Sequence, residues 1–180
     1  MCIEVTVADA EMQGGRLWFS NASLNGLFSI DLDAFEIRFE ALFPGEDVNK
    51  RMIHRRVFSY CDKLYFIPFT GRAIHVFDGK EITLISVEKK NKNPYYMFFD
   101  AVFSEAEKRI YLMPMDNESD VRYLDLETNC ICDVPAFREH IARLDSNAGT
   151  VEFQILNAHL LGDELCFLYG YKWFVKWNIK

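Results

Sequence analysis

The chain repeats one short pattern four times, and this repeat limits the folds that the sequence can adopt. Each copy is a run of three mostly apolar residues, followed at a nearly fixed distance by Asp or Asn. The copies begin 47, 46 and 55 residues apart. A period of about 40–50 residues is typical of propeller blades, each built from four strands. The runs are Leu17-Trp18-Phe19, Leu64-Tyr65-Phe66, Ile110-Tyr111-Leu112 and Leu165-Cys166-Phe167, and the residues after them are Asp31, Asp78, Asp125 and Asn178.

The second copy shows the pattern of one unit most clearly. Its central segment, Leu64–Ile67, is apolar at every position, which is typical of a strand buried on both faces. Asp78-Gly79 is a strong hairpin turn between two further apolar segments. The unit therefore predicts an antiparallel meander of four strands at residues 56–60, 64–67, 73–77 and 82–87.

The other units follow the same plan, except that the last one is incomplete. We expect strands at 4–9, 16–20, 26–31 and 35–40, then at 97–103, 109–113, 121–125 and 129–134, and finally at 152–158, 164–169 and 173–178. The predicted fold is all-β and of the β-propeller type, with about four blades and a last blade of three strands. We expect a single domain over 1–180, with repeat units near 1–43, 44–88, 89–135 and 136–180.

The incomplete last unit leaves two alternatives for closing the structure. The chain forms part of a larger ring, or two copies complete one ring as a homodimer. The linker between the third and fourth units is the longest, and Phe137, Ile141 and Leu144 lie at helical spacing within it. This spacing predicts a short helix in residues 135–145.

The units resemble the kelch and hemopexin families of β-propeller repeats. A second strand that ends in Pro and a third strand that runs into Asp and a tight turn resemble kelch-type blades. Asp100-Ala101-Val102-Phe103 is similar to the Asp-Ala-Ala-Phe start of a hemopexin blade, and Phe167-Leu168-Tyr169-Gly170 followed by Trp173 is similar to its second strand and turn. The paired glycines of kelch blades occur once, as Gly14-Gly15, before the second strand. The resemblance implies a propeller, a fold that serves binding proteins and enzymes alike.

Composition excludes several classes of function. A net charge of −7 argues against a general nucleic-acid binder, which needs a basic surface. No apolar run reaches the ~18 residues that a membrane span requires, and the first ten residues lack the basic start of an export signal. We therefore expect a cytoplasmic protein without membrane contact. The five cysteines are expected to be reduced and mostly buried.

The predicted linkers between units carry more basic than acidic residues, although the whole chain is acidic. Propeller ligands usually meet the face that such loops form, so a locally basic face predicts recognition of an anionic ligand. An acidic glycan, a phosphorylated group or an acidic peptide would fit. The alternative is that charged residues simply favour loops. The candidate ligand-binding residues are Arg51, His54, Arg55, Arg56, Lys89, Lys90, Arg138, His140 and Arg143.

No motif predicts catalysis, a metal or a cofactor. The four histidines have no metal-ligand spacing, and His75 and His159 are expected to be hydrogen-bonded structural residues. The acidic segment 116–120 lacks the glycine and distal glutamate of a calcium loop, and Cys130 and Cys132 have no second pair for zinc. The favoured function is a non-enzymatic interaction or ligand-recognition module for an anionic glycan or a protein partner. The alternative is a glycan- or ester-processing enzyme whose active site is built from blade loops.

Overall fold

The computed structural model consists of four antiparallel sheets in chain order. It describes residues 6–89, 95–115, 119–134, 137, 139–140, 143, 155–170 and 173–179. The first sheet contains β1 (Val7–Gln13), β2 (Arg16–Asn21), β3 (Leu27–Asp31) and β4 (Glu36–Ala41). The second contains β5 (His54–Tyr60), β6 (Lys63–Pro68), β7 (Ala73–Phe77) and β8 (Ile82–Ser86).

The remaining two sheets repeat this meander. The third contains β9 (Phe98–Ser104), β10 (Arg109–Pro114), β11 (Arg122–Asp125) and β12 (Ile131–Asp133), and the fourth contains β13 (Ile155–Leu161), β14 (Glu164–Tyr169) and β15 (Trp173–Asn178). Within each sheet, every strand pairs with the next one along the chain. The all-β fold of propeller-type blades is therefore confirmed, with three strands in the last blade as far as the described residues show.

The sheets are grouped in two compact bodies. The N-terminal body, Met1–Val87, contains the first two sheets, and the C-terminal body, Glu88–Lys180, contains the other two. Within each body the first strands of its two sheets, β1 with β5 and β9 with β13, lie side by side. No helix among the described residues is both long and apolar enough to cross a membrane.

The apolar part of the repeat forms the second strand of every sheet. β2, β6, β10 and β14 each pair on both edges, so their side chains are flanked by strands and covered by a neighbouring sheet. Leu64 and its neighbour Tyr65 in β6, which point to opposite faces of the sheet, are both buried, as are Ile110 and Tyr111 in β10. Burial on both faces explains why these segments are continuously apolar rather than alternating.

The acidic part of the repeat forms the turn after the third strand. Oδ1 of Asp31 accepts the backbone N–H groups two and three residues further on, and Asp78 and Asp125 do the same. These hydrogen bonds lower the pKa of all three carboxyls below the usual 3.8. The largest cause is the amide of Ala34 for Asp31, that of Glu81 for Asp78 and that of Thr128 for Asp125. The aspartates thus close the hairpins β3–β4, β7–β8 and β11–β12 as Asx turns.

A second type of carboxylate hydrogen bond joins the first strands of adjacent sheets. Asp9 in β1 accepts the backbone N–H of Val57 in β5 through Oδ2, at 3.0 Å. Asp100 in β9 accepts the N–H of Ala158 in β13 in the same way, at 3.2 Å. In both cases the carboxylate of one sheet accepts a backbone N–H that strand pairing in the adjacent sheet leaves free. Asp100 therefore has a structural role in the same position as Asp9, one body further along the chain.

Several boundaries differ from the prediction. β1 extends to Gln13 instead of ending at residue 9, because its pairing with β2 continues to the glycine turn. β13 runs to Leu161, so His159 lies within a strand and pairs with Cys166. Residues 137, 139, 140 and 143 are helical, as predicted, whereas Ile141 and Leu144 lie outside the described residues. Phe137 is buried against Phe167 and Trp177.

The prediction that the cysteines are mostly buried is wrong. Cys166 is buried in β14, but Cys61 and Cys130 are exposed and Cys132 is half-buried; all four are free. Cys61 is exposed because it forms the two-residue β5–β6 turn with Asp62, and both residues have positive φ. Cys2 lies outside the described residues.

We predict that Asp78→Ala lowers the thermal midpoint of unfolding, because the β7–β8 turn loses the acceptor for two backbone N–H groups. Asp78→Asn should retain most of the stability, since an amide oxygen can accept the same bonds. Glu81→Ala, in the same turn, is the matched control and should leave the midpoint unchanged. Equal midpoints for Asp78→Ala and Glu81→Ala in differential scanning calorimetry would contradict this role.

Candidate functional site

The linker between the first two sheets, residues 42–53, is held in place by a buried asparagine. Asn25 is fully buried in the β2–β3 connection. Its Oδ1 accepts the N–H of Phe43 at 2.9 Å, and its Nδ2 donates to the carbonyls of Phe43 and Glu46 at 3.0 Å. One side chain therefore binds the linker at three points, much as a neighbouring strand would.

A chain of buried polar side chains anchors the same linker from the second sheet. Ser20 at the end of β2 contacts His54 Nδ1 at 2.9 Å, and His54 Nε2 contacts His75 Nδ1 at 2.8 Å. His75 Nε2 lies 3.0 Å from the carbonyl oxygen of Pro44 in the linker. The chain thus joins β2, β5, β7 and the linker, and Ser20, His54 and His75 are all buried.

The last contact and the neutrality of both rings, which burial favours by lowering their pKa, together fix the direction of every hydrogen bond in this chain. A carbonyl oxygen can only accept, so His75 Nε2 carries a proton and donates to Pro44. The neutral ring of His75 then accepts at Nδ1, and His54 Nε2 donates to it. His54 accepts at Nδ1, and the hydroxyl of Ser20 donates there. Both imidazoles are therefore neutral Nε2–H tautomers.

Burial keeps the two rings neutral. It lowers the pKa of His54 well below 6.5, and the nearby His75 and Lys50 act in the same direction. Burial also lowers the pKa of His75, although its bond to the Pro44 carbonyl opposes the shift. The void beside Ser20 and His54, which Arg55 and Arg56 also line, is too narrow to admit a water molecule.

A groove on the outer side of the N-terminal body is large enough for a ligand. It has a volume of about 360 Å³ and lies between the end of β4 with the linker and the β7–β8 turn. Five apolar side chains, one glycine and three charged side chains line it, and its exposed surface is about as polar as it is apolar. Its residues are Glu40, Ala41, Leu42, Pro44, Phe77, Gly79, Lys80, Glu81 and Ile82.

One carboxylate of the groove is held in a fixed position. Oε1 of Glu40 accepts from the buried hydroxyl of Ser29 at 2.5 Å and from Arg16 Nη1 at 3.1 Å. Arg16 also reaches Asp31 at 3.5 Å. Among the bonds of the described residues, Glu40 Oε2 takes none, so one oxygen of an oriented carboxylate remains for a ligand.

The other two charged residues of the groove lie in the β7–β8 turn. Lys80 and Glu81 are exposed, and neither side chain forms a salt bridge with a described residue. The Asx turn of Asp78 fixes their backbone through their N–H groups. Lys80 and Glu81 can therefore form ion pairs with a ligand without breaking a salt bridge to a described residue.

The structure places the predicted ligand-binding residues in different settings. His54 is buried at the start of β5, with both ring nitrogens bonded, so its assignment to an exposed loop is wrong. Arg55 and Arg56 are half-buried in β5, and the guanidinium of Arg55 lies 5.3 Å from the ring of Phe69. Arg51 is exposed in the linker.

In the C-terminal body, Lys89 and Arg143 are exposed and His140 is half-buried, whereas Lys90 and Arg138 lie outside the described residues. None of the seven predicted residues that the structure describes lines the groove. The acidic segment also falls partly outside the described residues, at positions 116–118. In the part of the chain that the structure describes, no three His, Cys, Asp or Glu side chains come close enough to hold a metal ion.

Comparison with known proteins supports the fold without naming a family. No family model matches the chain, and no curated protein matches it. The extracellular domain of BT4673 from B. thetaiotaomicron, described as a hybrid two component system, aligns over 96% of this chain with 12% identity and a TM-score of 0.59. This chain spans only 20% of that one.

Two further solved structures show a similar likeness. The computationally designed Ika4 protein aligns over 99% of this chain and 94% of its own length, with 8% identity and a TM-score of 0.61. A structure of the nidogen/laminin complex aligns over 87% of this chain and 52% of the other, with 12% identity and a TM-score of 0.54. At these identities the likeness shows a propeller-type fold alone, and it assigns the chain to neither the kelch nor the hemopexin family.

We predict that the free energy of unfolding decreases as the pH falls below about 6.5, the ordinary pKa of histidine. The unfolded chain binds protons at both residues there, while the folded protein with its lowered pKa values does not. Above 6.5 both states are neutral at these positions and the contribution is constant. The slope can reach about 1.4 kcal/mol per pH unit for each histidine.

Denaturant titrations between pH 5 and 8 measure this slope. The variant His54→Gln/His75→Gln should have a flatter profile, even if its stability is lower at every pH. His159→Gln, at an exposed position of β13, is the control and should keep the wild-type slope. A wild-type profile as flat as that of the double variant would refute the neutral histidine pair.

Proposed function

We propose that the protein is a recognition module that binds its ligand in the groove of the N-terminal body. The observation that carries this proposal is the groove itself, with its five apolar side chains, its oriented carboxylate at Glu40, and Lys80 and Glu81, which form no salt bridge with a described residue. A volume of about 360 Å³ lies within the range of small-molecule sites. A few polar groups among apolar side chains are also typical of such sites.

The chemistry of the groove favours binding over catalysis. Its surface contains carboxylates, one ammonium group and apolar side chains, but no serine, cysteine or histidine. A nucleophile with an adjacent base is therefore not part of it. The histidines of this body serve instead to hold the linker that forms one wall.

A more specific proposal is that the exposed basic residues recognise an anionic glycan or an acidic partner. Arg51 and Lys89 are exposed basic residues and support it. Arg51→Glu should then weaken binding of heparin, used as a polyanionic probe, in a salt-dependent manner. Heparin binding that is unchanged both by Arg51→Glu and by Lys89→Glu would rule out recognition by these two residues.

We predict that small amphipathic fragments bind in the groove. A mixture containing phenol, benzamide and 1-butanol should shift the backbone amide signals of Leu42, Lys80 and Ile82 in ¹⁵N-edited spectra. Ala41→Phe places a large side chain in the groove and should abolish these shifts. Ala34→Phe, the same change in the exposed β3–β4 turn, is the matched control and should leave them intact.

The outcomes separate cleanly. Shifts that survive in Ala41→Phe, or fragment binding that avoids the groove in the wild type, would refute the groove as the ligand site. Near-native far-ultraviolet circular dichroism of both variants would show that neither result reflects unfolding.

A second candidate function, ester hydrolysis, is favoured by the Ser20–His54–His75 chain. A serine that donates to a histidine, which in turn is oriented by another group, has the arrangement of a nucleophile and its base. The narrow void beside Ser20 opposes it, because a substrate has no space there. Saturable hydrolysis of p-nitrophenyl acetate that disappears in both Ser20→Ala and His54→Gln would establish the enzyme instead of the recognition module.

A further inference from the structure

We propose that the groove recognises an alkyl chain that carries a cationic head group, as in a lysine or arginine side chain or a free polyamine. This inference rests on the proposed function and adds the chemical class of the ligand. It is opposite in sign to the anionic ligand that the basic linkers predict. The charges, the apolar surface and the dimensions of the groove support it independently.

The charges around the groove are predominantly negative. Glu40 and Glu81 line it together with one cation, Lys80. Arg16 approaches from below, but it is shared between Glu40 and Asp31. Two carboxylates and one ammonium group thus line the groove, so its lining favours an incoming positive charge over an incoming anion.

The position of Glu40 suits a cationic hydrogen-bond donor. Ser29 and Arg16 both bind Oε1, which orients the carboxylate and leaves Oε2 as an acceptor. Because these bonds already fix the side chain, a ligand does not have to order it, and the entropic cost of binding is reduced. Ammonium and guanidinium groups only donate, so they match an acceptor-only site.

The rest of the surface suits the alkyl part. Phe77 and Ile82 on one side and Leu42 and Pro44 on the other present carbon atoms to the groove. Phe77 is buried against Trp18, with ring centroids 5.1 Å apart, so this wall is rigid. An aliphatic chain of about four carbons would bury its methylene groups here while its charged end reaches Glu40.

Probes of similar chain length but different charge test the proposal. We would titrate n-butylammonium, agmatine, 1-pentanol and valerate into the ¹⁵N-labelled protein and follow the amides of Leu42, Lys80 and Ile82. The two cations should bind most tightly and valerate least. Glu40→Gln and Glu81→Gln should each weaken agmatine binding by about 1.5- to fivefold, the range for exposed ion pairs. Lys80→Ala should strengthen it.

Two probes distinguish the sources of the cation. Agmatine represents a free ligand, and the blocked peptide acetyl-Ala-Arg-Ala-amide represents a side chain of a protein partner. Tighter binding of the peptide would support a protein partner, and tighter binding of agmatine would support a free cation; both outcomes support the cationic alkyl class.

The failures of the two proposals are different. If 1-pentanol or valerate binds the groove as tightly as agmatine, and Ala41→Phe abolishes this binding, the groove is a site but the cationic inference is wrong. If no probe shifts the groove amides, the proposed function fails with it. If Glu40→Gln is less stable, Glu81→Gln, at an exposed turn position, decides whether a carboxylate attracts the ligand.

Discussion

The N-terminal body depends on the buried hydrogen bonds that fix the linker between its two sheets. Asn25 binds this linker at Phe43 and Glu46, and His75 binds it at Pro44. A linker without secondary structure leaves many backbone groups unpaired, and a buried unpaired group costs about 1–3 kcal/mol. The asparagine and histidine side chains replace the missing strand partners, so the chain can cross between sheets at low cost.

These hydrogen bonds also fix the position of one wall of the groove. Leu42 and Pro44 form part of one wall, and both flank Phe43, which Asn25 holds by two bonds. The opposite wall is fixed separately, by the Asx turn at Asp78 and by packing of Phe77 on Trp18. A groove with two walls that are held by different interactions keeps its shape without a ligand, which favours recognition with little rearrangement.

Much of the fold could be predicted because its signals are local. The apolar run of each second strand and the aspartate after each third strand act within a single meander, so both appear as a periodic pattern in the sequence. The pairing of Ser20, His54 and His75 has no such signal, because it joins residues from three strands and two sheets. His54 and Arg51 are both polar residues near a strand end, and only the structure, in which His54 contacts Ser20 of β2, shows that His54 is buried and Arg51 exposed. The negative charge of the groove has no local signal either, because its carboxylates come from β4 and from a turn 41 residues later. Neither position belongs to the basic linkers between units.

The measurement that tests this account most directly is the tautomeric state of the two buried histidines, observed by long-range ¹H–¹⁵N correlation spectra at pH 7. Burial lowers the pKa of both rings and the Pro44 carbonyl can only accept, so His54 and His75 should both be neutral, with the proton on Nε2 and a bare Nδ1. Protonation at Nδ1 of either ring, or a charged imidazolium, would contradict the directed chain of hydrogen bonds and with it the anchoring of the linker.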